Sequence, residues 1–177
     1  IKVEVSGKHR EKVRVGQEGD TLVLESIGRV QDREITVSYP KKTEFEEASV
    51  DVVAGTVNLD DNFYAKKLEV SVAAGEFTND STITAEKAEL TVGTGNIDLE
   101  NLKVQNLEAD CGIGNIDLGI DGKEKDYDYE ISCAAGTIDI GDSSFSGLGH
   151  EKKISNPGSS GKMTFDCGVG NITVDFE

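Results

Sequence analysis

The sequence predicts an all-β, single-domain chain built as a parallel β-solenoid of about six coils of ~20 residues. Three observations predict it. A glycine-anchored motif recurs along the chain, four columns of apolar residues keep a fixed register to that glycine, and no intervening stretch shows helical periodicity. Residues 48–177 are expected to form the repeat region, and residues 1–47 are expected to supply short β strands that cap its first coil.

Composition bounds the rest. At 177 residues the chain has the length of one domain. Its 18 Lys and Arg against 34 Asp and Glu give a formal charge of −16, which argues against nucleic acid or anionic lipid as partner. With 36% hydrophobic residues and no Trp, the core must be made of small and branched aliphatics. No apolar run approaches the ~18 residues of a membrane span, so no direct membrane insertion is expected of this fragment. The chain begins at Ile1 rather than Met, so an upstream signal or anchor stays open.

The motif is plainest as Gly-Thr-Gly-Asn-Ile-Asp-Leu at 93–99 and Gly-Ile-Gly-Asn-Ile-Asp-Leu at 112–118. Related segments place anchor glycines at Gly55, Gly75, Gly95, Gly114, Gly136 and Gly170, spaced by 20, 20, 19, 22 and 34 residues. The residues seven, five and three before each anchor, and two after it, are apolar in all six repeats. Between them lie polar positions, so each repeat alternates with period two and has one face inward. The step from three before to two after is odd, and one flat strand cannot supply it. The chain therefore turns a corner at each anchor, where glycine permits positive φ or close backbone approach. Antiparallel hairpins would reverse direction every ~20 residues, whereas parallel stacking at ~4.8 Å keeps like residues on like.

Upstream of the repeats, Val3 and Val5, Val13 and Val15, Leu22 and Leu24, and Ile35 and Val37 alternate between turn signals at Gly7, 17–20 and Gly28. These are the expected capping strands, since an open solenoid end exposes unpaired backbone. The 141–162 stretch accounts for the spacing of 34 and is expected to be an insertion loop protruding from one corner, either a solvated insertion or a binding loop.

Candidate chemistry is sparse. Cys111, Cys133 and Cys167 share one inward column that is Val in the other repeats, so they are expected to be core thiols. Neither His9 nor His150 shares that column, and a zinc site needs four ligands. Asp98, Asp117 and Asp139 form an outward column, expected as an acidic ladder of stacked carboxylates that is either solvated or relieved by a cation such as calcium. The motif superficially resembles a calcium-binding nonapeptide, but the period is ~20 and the Asp falls one place later. Asn96, Asn115 and Asn171 are expected to hydrogen-bond to corner backbone or to each other. Asn79-Asp-Ser and Asn171-Ile-Thr fit a glycosylation pattern that matters only in a eukaryotic secretory setting. The Gly-x-Gly units precede no helix that could bind phosphate, no Ser-His-Asp arrangement is suggested, and basic residues are scarce in the coils. No enzyme activity, cofactor or metal is expected.

The Gly-x-Gly-[Asn/Asp]-Ile-x-Leu corners, the lead-in Ile35-Thr-Val-Ser-Tyr-Pro-Lys and the closing Met163-Thr-Phe-Asp-Cys-Gly-Val-Gly-Asn-Ile-Thr-Val resemble the bacterial adhesin-labelled, or toast-rack, β-repeat domains of unknown function. The resemblance covers residues from about 30 to the end. It implies a right-handed β-helix-like domain at the bacterial cell surface or otherwise outside the cytoplasmic membrane, held by an N-terminal anchor absent from this chain. Some relatives accompany envelope-stress sensing proteins, and there are no family catalytic residues to carry over. Two functions follow as expectations: an adhesin that binds a glycan or protein ligand, or an extracytoplasmic regulatory or scaffolding domain of an envelope-stress system that binds another protein or self-associates.

Overall fold

The computed structural model describes residues 1–28, 33–146 and 149–177. The structure is all-β, and it forms two compact units, residues 1–43 and 44–177, rather than one. In the first unit β1 (Lys2–Gly7) pairs antiparallel with β4 (Arg33–Ser38), and β2 (Val13–Glu18) with β3 (Thr21–Ser26). The β2–β3 connection is Gly19-Asp20, with Gly19 at φ 61°, the positive φ a two-residue hairpin needs at its first position. Among its described residues no side chain is fully buried.

The second unit begins with β5 (Glu44–Val52), where 48 was expected, and continues through β6 (Thr56–Leu59), β7 (Phe63–Val72), β8 (Glu76–Asn79), β9 (Ile83–Val92), β10 (Asn96–Cys111) and β11 (Asn115–Ile120). It ends with β12 (Tyr127–Cys133), β13 (Thr137–Ile140), β14 (Ser143–Ser146), β15 (His150–Ile154), β16 (Gly161–Cys167) and β17 (Asn171–Phe176). Each repeat is an arch, with one strand before its glycine corner and one after. The leading strands form one ladder in the order β5, β7, β9, the second half of β10, β16, β12 and β15. The trailing strands form another in the order β6, β8, the first half of β10, β11, β17, β13 and β14. Through β10 the two ladders make one thirteen-stranded sheet, and among the described residues that sheet does not close on itself.

All pairings between repeats are parallel and join equivalent residues. Val52, Val72, Val92, Cys111, Cys167 and Cys133 follow one another across the leading ladder. From the second repeat on, the inward columns are buried throughout, with Ile97, Ile116, Met163, Phe165 and Ile172 wholly shielded from water. At ~25 cal/mol per Å² of apolar surface, these columns are the main driving force for folding.

Two expectations are corrected. The repeats do not stack in sequence order, because the sixth (β16, β17) lies between the fourth and the fifth. The 141–162 stretch is not a protruding loop either. It contains β14, antiparallel to β13, and β15, antiparallel to β12, so it caps both ladders beyond the fifth repeat. The middle of that stretch, 147–148, lies outside the described residues. The two corrections share one cause. An antiparallel hairpin ends a parallel stack, so the repeat that carries it must be outermost, and the sixth has to enter on the inner side.

Close approach, more than positive φ, explains the corner glycines; only Gly55 among the anchors has positive φ, 115°. A Cβ on Gly75, Gly95, Gly114, Gly170 or Gly136 would run into the carbonyl oxygen of the neighbouring anchor. That oxygen also accepts the N–H of the residue after the glycine, as in Asn96 N to Gly75 O (3.0 Å) and Asn171 N to Gly114 O (3.1 Å). The inward residue three before the lower anchor touches the same spot, with Val52 Cγ1 2.6 Å and Cys111 Sγ 2.6 Å from the Cβ positions of Gly75 and Gly170.

Gly170→Ala is therefore expected to cost about 3 kcal/mol, the upper end of the overpacking range, because the obstacle is main chain that cannot rotate away. Urea unfolding measures this, and a loss below about 0.5 kcal/mol would show that the corner yields.

Candidate functional site

A concavity lies at the bend opposite the glycine corner. It is an open groove of about 630 Å³ across the second, third, fourth and sixth repeats. Its origin is a difference in bend length. Three residues connect β6 to β7 and β8 to β9, and six connect β11 to β12, whereas β10 runs through its bend without interruption. Only a register shift between Leu99 and Leu102 marks the turn there. The shortest repeat spacing, 19 residues, thus leaves a hollow between bulkier bends.

Asp80, Asp98, Glu100, Asp117, Asp175 and Glu177 line this groove, and no basic residue does among the described residues. Carboxylates accept hydrogen bonds and donate none when ionised. The wall on the second repeat is pinned by side chains: Asn58 Nδ2 donates to Asp60 Oδ1 (2.6 Å) and Asp80 Oδ2 (3.1 Å), and Thr78 Oγ1 donates to Asn58 Oδ1 (2.9 Å). Asn79 replaces the aliphatic residue of its column and is 2% exposed. Its Oδ1 accepts the Glu100 N–H (2.9 Å) and its Nδ2 donates to the Ser81 carbonyl, so its amide ties the bend together and is closed to glycosylation.

The expected acidic ladder is broken by the same insertion that reorders the repeats. Asp98 and Asp117 are register neighbours, but Thr173 stands between Asp117 and Asp139. Among the described residues no three His, Cys, Asp or Glu side chains converge as metal ligands. Asn96, Asn115 and Asn171, in contrast, become contiguous. Asn115 Nδ2 donates to Asn96 Oδ1 (3.1 Å), and Asn171 Nδ2 to Asn115 Oδ1 (3.0 Å).

The three thiols are stacked, unbridged and buried. Cys111 Sγ donates to Gly114 O and Cys167 Sγ to Gly170 O, both at 3.0 Å, which closes each corner from inside. Burial, then the neighbouring thiols, pushes Cys167 up to about 12, and burial raises Cys111 as well.

The outer face of the leading ladder carries rows of charge. Lys67 pairs with Glu69 and lies 3.7 Å from Glu47, and Lys153 and Lys162 both bind Glu130 at 2.9 Å, holding its carboxyl down at about 2. Asp110 has no such relief. Lost hydration, then Glu108 and Asp166, raise its pKa.

Sequence reasoning picked out Asp98 and Asp117 but missed the other four groove carboxylates. Asp80, Glu100 and Asp175 stand five residues after their anchors, in the next outward column along. Extending the period-two alternation by one step would have found them.

The molecule is thus a repeat protein of parallel β-arches, with an apolar interior and an acidic groove on its outer face. Residues 1–174 match the family model of the Toastrack DUF4097 domain, and the chain belongs to that family. Comparison with curated proteins and with solved structures returns no match.

With their pKa values raised, Cys111 and Cys167 carry little reactive thiolate at neutral pH, and all three thiols are buried. Native protein is expected to react only slowly with a thiol-specific disulfide reagent, and all three cysteines to react once denaturant is added; rapid native labelling would contradict a dry thiol column. Asp110→Asn should stabilise the protein at neutral pH by a few tenths to about 1 kcal/mol. Because the folded-state pKa lies above the ordinary 3.8, the penalty of the ionised carboxylate is complete above the folded value. The gain should fade as pH falls from there through 3.8, and thermal melts of both proteins across that range would test it.

Proposed function

We propose that this chain is a non-catalytic display domain of the bacterial envelope or cell surface that binds a protein or glycan ligand along its acidic groove. In this reading the stacked arches are the turns of a right-handed parallel β-solenoid, carried outside the cytoplasmic membrane by an N-terminal anchor. The groove carries the proposal: it is open, spans four repeats, and offers six carboxylates and no basic side chain among the described residues. Such a surface needs donors from its ligand, so it suits sugar hydroxyls or Lys- and Arg-bearing peptide segments and repels acidic polysaccharide. The interior columns serve packing, which leaves recognition to the outer faces. Among the described residues no helix is long and apolar enough to cross a membrane.

The test is binding to arrays of glycans and matrix proteins, alongside capture from bacterial envelope extracts, with the native chain and an Asp98→Asn/Asp117→Asn variant. Loss of two hydrogen-bond-accepting charges should weaken binding about tenfold or more, at about 1 kcal/mol each. Equal binding by the variant would remove the groove from the account. Retention of bacterial envelope proteins alone would favour the regulatory or scaffolding role.

A further inference from the structure

The position of the sixth repeat has a consequence that does not depend on the groove's ligand. Among the described strands, β12 to β15 join the rest of the sheet only through β16 and β17. Residues 161–176 thus form an arch inserted between two neighbours, paired with β10 and β11 on one side and with β12 and β13 on the other. The arch buries Met163, Phe165, Cys167, Ile172 and Val174 completely. Its link to the preceding chain is the six-residue segment 155–160, Ser-Asn-Pro-Gly-Ser-Ser. That segment is moored to the fifth repeat: Asp128 Oδ1 accepts the Asn156 N–H (2.7 Å) and the Ser159 hydroxyl (2.9 Å).

The edge of the fourth repeat on which the arch sits is selective. A side chain at position 170 would strike the Gly114 carbonyl and Cys111 Sγ, and one at position 168 the Gly112 carbonyl, so the arch must read Gly-x-Gly. The amide of Asn115 asks for an Asn directly after the second glycine. Three segments of the chain read Gly-x-Gly-Asn-Ile, at 93–97, 112–116 and 168–172. The first two are fixed in the contiguous run of repeats one to four, which leaves the third as the exchangeable one.

We infer that the outer edge of the fourth repeat is a docking seat for a Gly-x-Gly-Asn-Ile arch, and that residues 161–176 of a second copy occupy it by reciprocal exchange. The exchanged pair keeps the contacts of the arch itself, so its cost is confined to the 155–160 hinge, whose bonds to Tyr127 and Asp128 must rearrange, and to the freedom lost on pairing, and concentration drives it.

The seam contains its own reporters. Lys162, on the arch, lies 2.9 Å from Glu130 of the fifth repeat, and Lys153, on the capping strand, lies 2.9 Å from the same carboxylate. Equal amounts of full-length unlabelled and nitrogen-15-labelled chain are unfolded together, refolded at high concentration, coupled with a carbodiimide and separated by size. In the dimer fraction, about half of the Lys162–Glu130 cross-links should join one labelled and one unlabelled peptide, as random pairing requires. The Lys153–Glu130 cross-links should stay within one isotope. Failure to form any dimer, or a dimer whose Lys162–Glu130 links are all of one isotope, would overturn the inference. Mixed-isotope Lys153–Glu130 links would overturn it too, by showing that the exchanged element is larger than the arch.

Discussion

Backbone packed on backbone at the glycine corners governs the rest of this structure. The carbonyl of one anchor sits where the Cβ of the next would be, and it accepts the following N–H. The contact sets both the spacing between repeats and their rotational register, so one side chain always stacks on its equivalent. Cores of globular domains usually fill by interlocking large and small side chains. Here the interior is filled by columns, and each column accepts a narrow range of shapes: Val or Cys beneath the glycine, Val, Ile or Phe beyond it, and Leu, Ile or Val further on apart from Asn79.

The same rule converts single substitutions into ladders. Three asparagines after three anchors become two side-chain hydrogen bonds, and three small residues before three anchors become a thiol column. The Cys111 and Cys167 thiols donate inward to corner carbonyls, so they replace the valines of the earlier repeats as packing units while satisfying their own polarity. The antiparallel cap, β14 on β13 and β15 on β12, then answers a hazard of parallel ladders, an open edge that invites further strands. Its strands run against the stack, so the next surface no longer repeats the register that built it.

Strand positions, corners and the inward columns were legible in the sequence because period-two alternation and the glycine anchor are local signals. Repeat order was not, because every repeat offers nearly the same edge and the preference among them is a matter of one or two residues. A signal did exist. Repeats three, four and six share Gly-x-Gly-Asn-Ile, whereas one, two and five carry Ala-Gly without the Asn, and stacking places the first set together. The acidic groove was half legible. Asp98 and Asp117 follow from the motif itself, but the hollow comes from the missing bend of β10, a feature of chain length rather than of residue type.

Charge gives an independent reason for the stacking order. Register neighbours lie ~4.8 Å apart, and two like charges at that distance repel by about 1 kcal/mol even with full water screening. In sequence order the fifth repeat would set Glu130 against Glu108 and Asp139 against Asp117. The inserted sixth repeat places Thr164 in the first gap and Thr173 in the second, and it brings Lys162 to Glu130. It also sets Asp166 beside Asp110, where sequence order would have placed Ser132, and Asp110 is the carboxylate whose pKa is raised. Two acidic contacts are removed and one is created. In a chain of formal charge −16 that balance favours the observed order, on top of the amide ladder that points the same way.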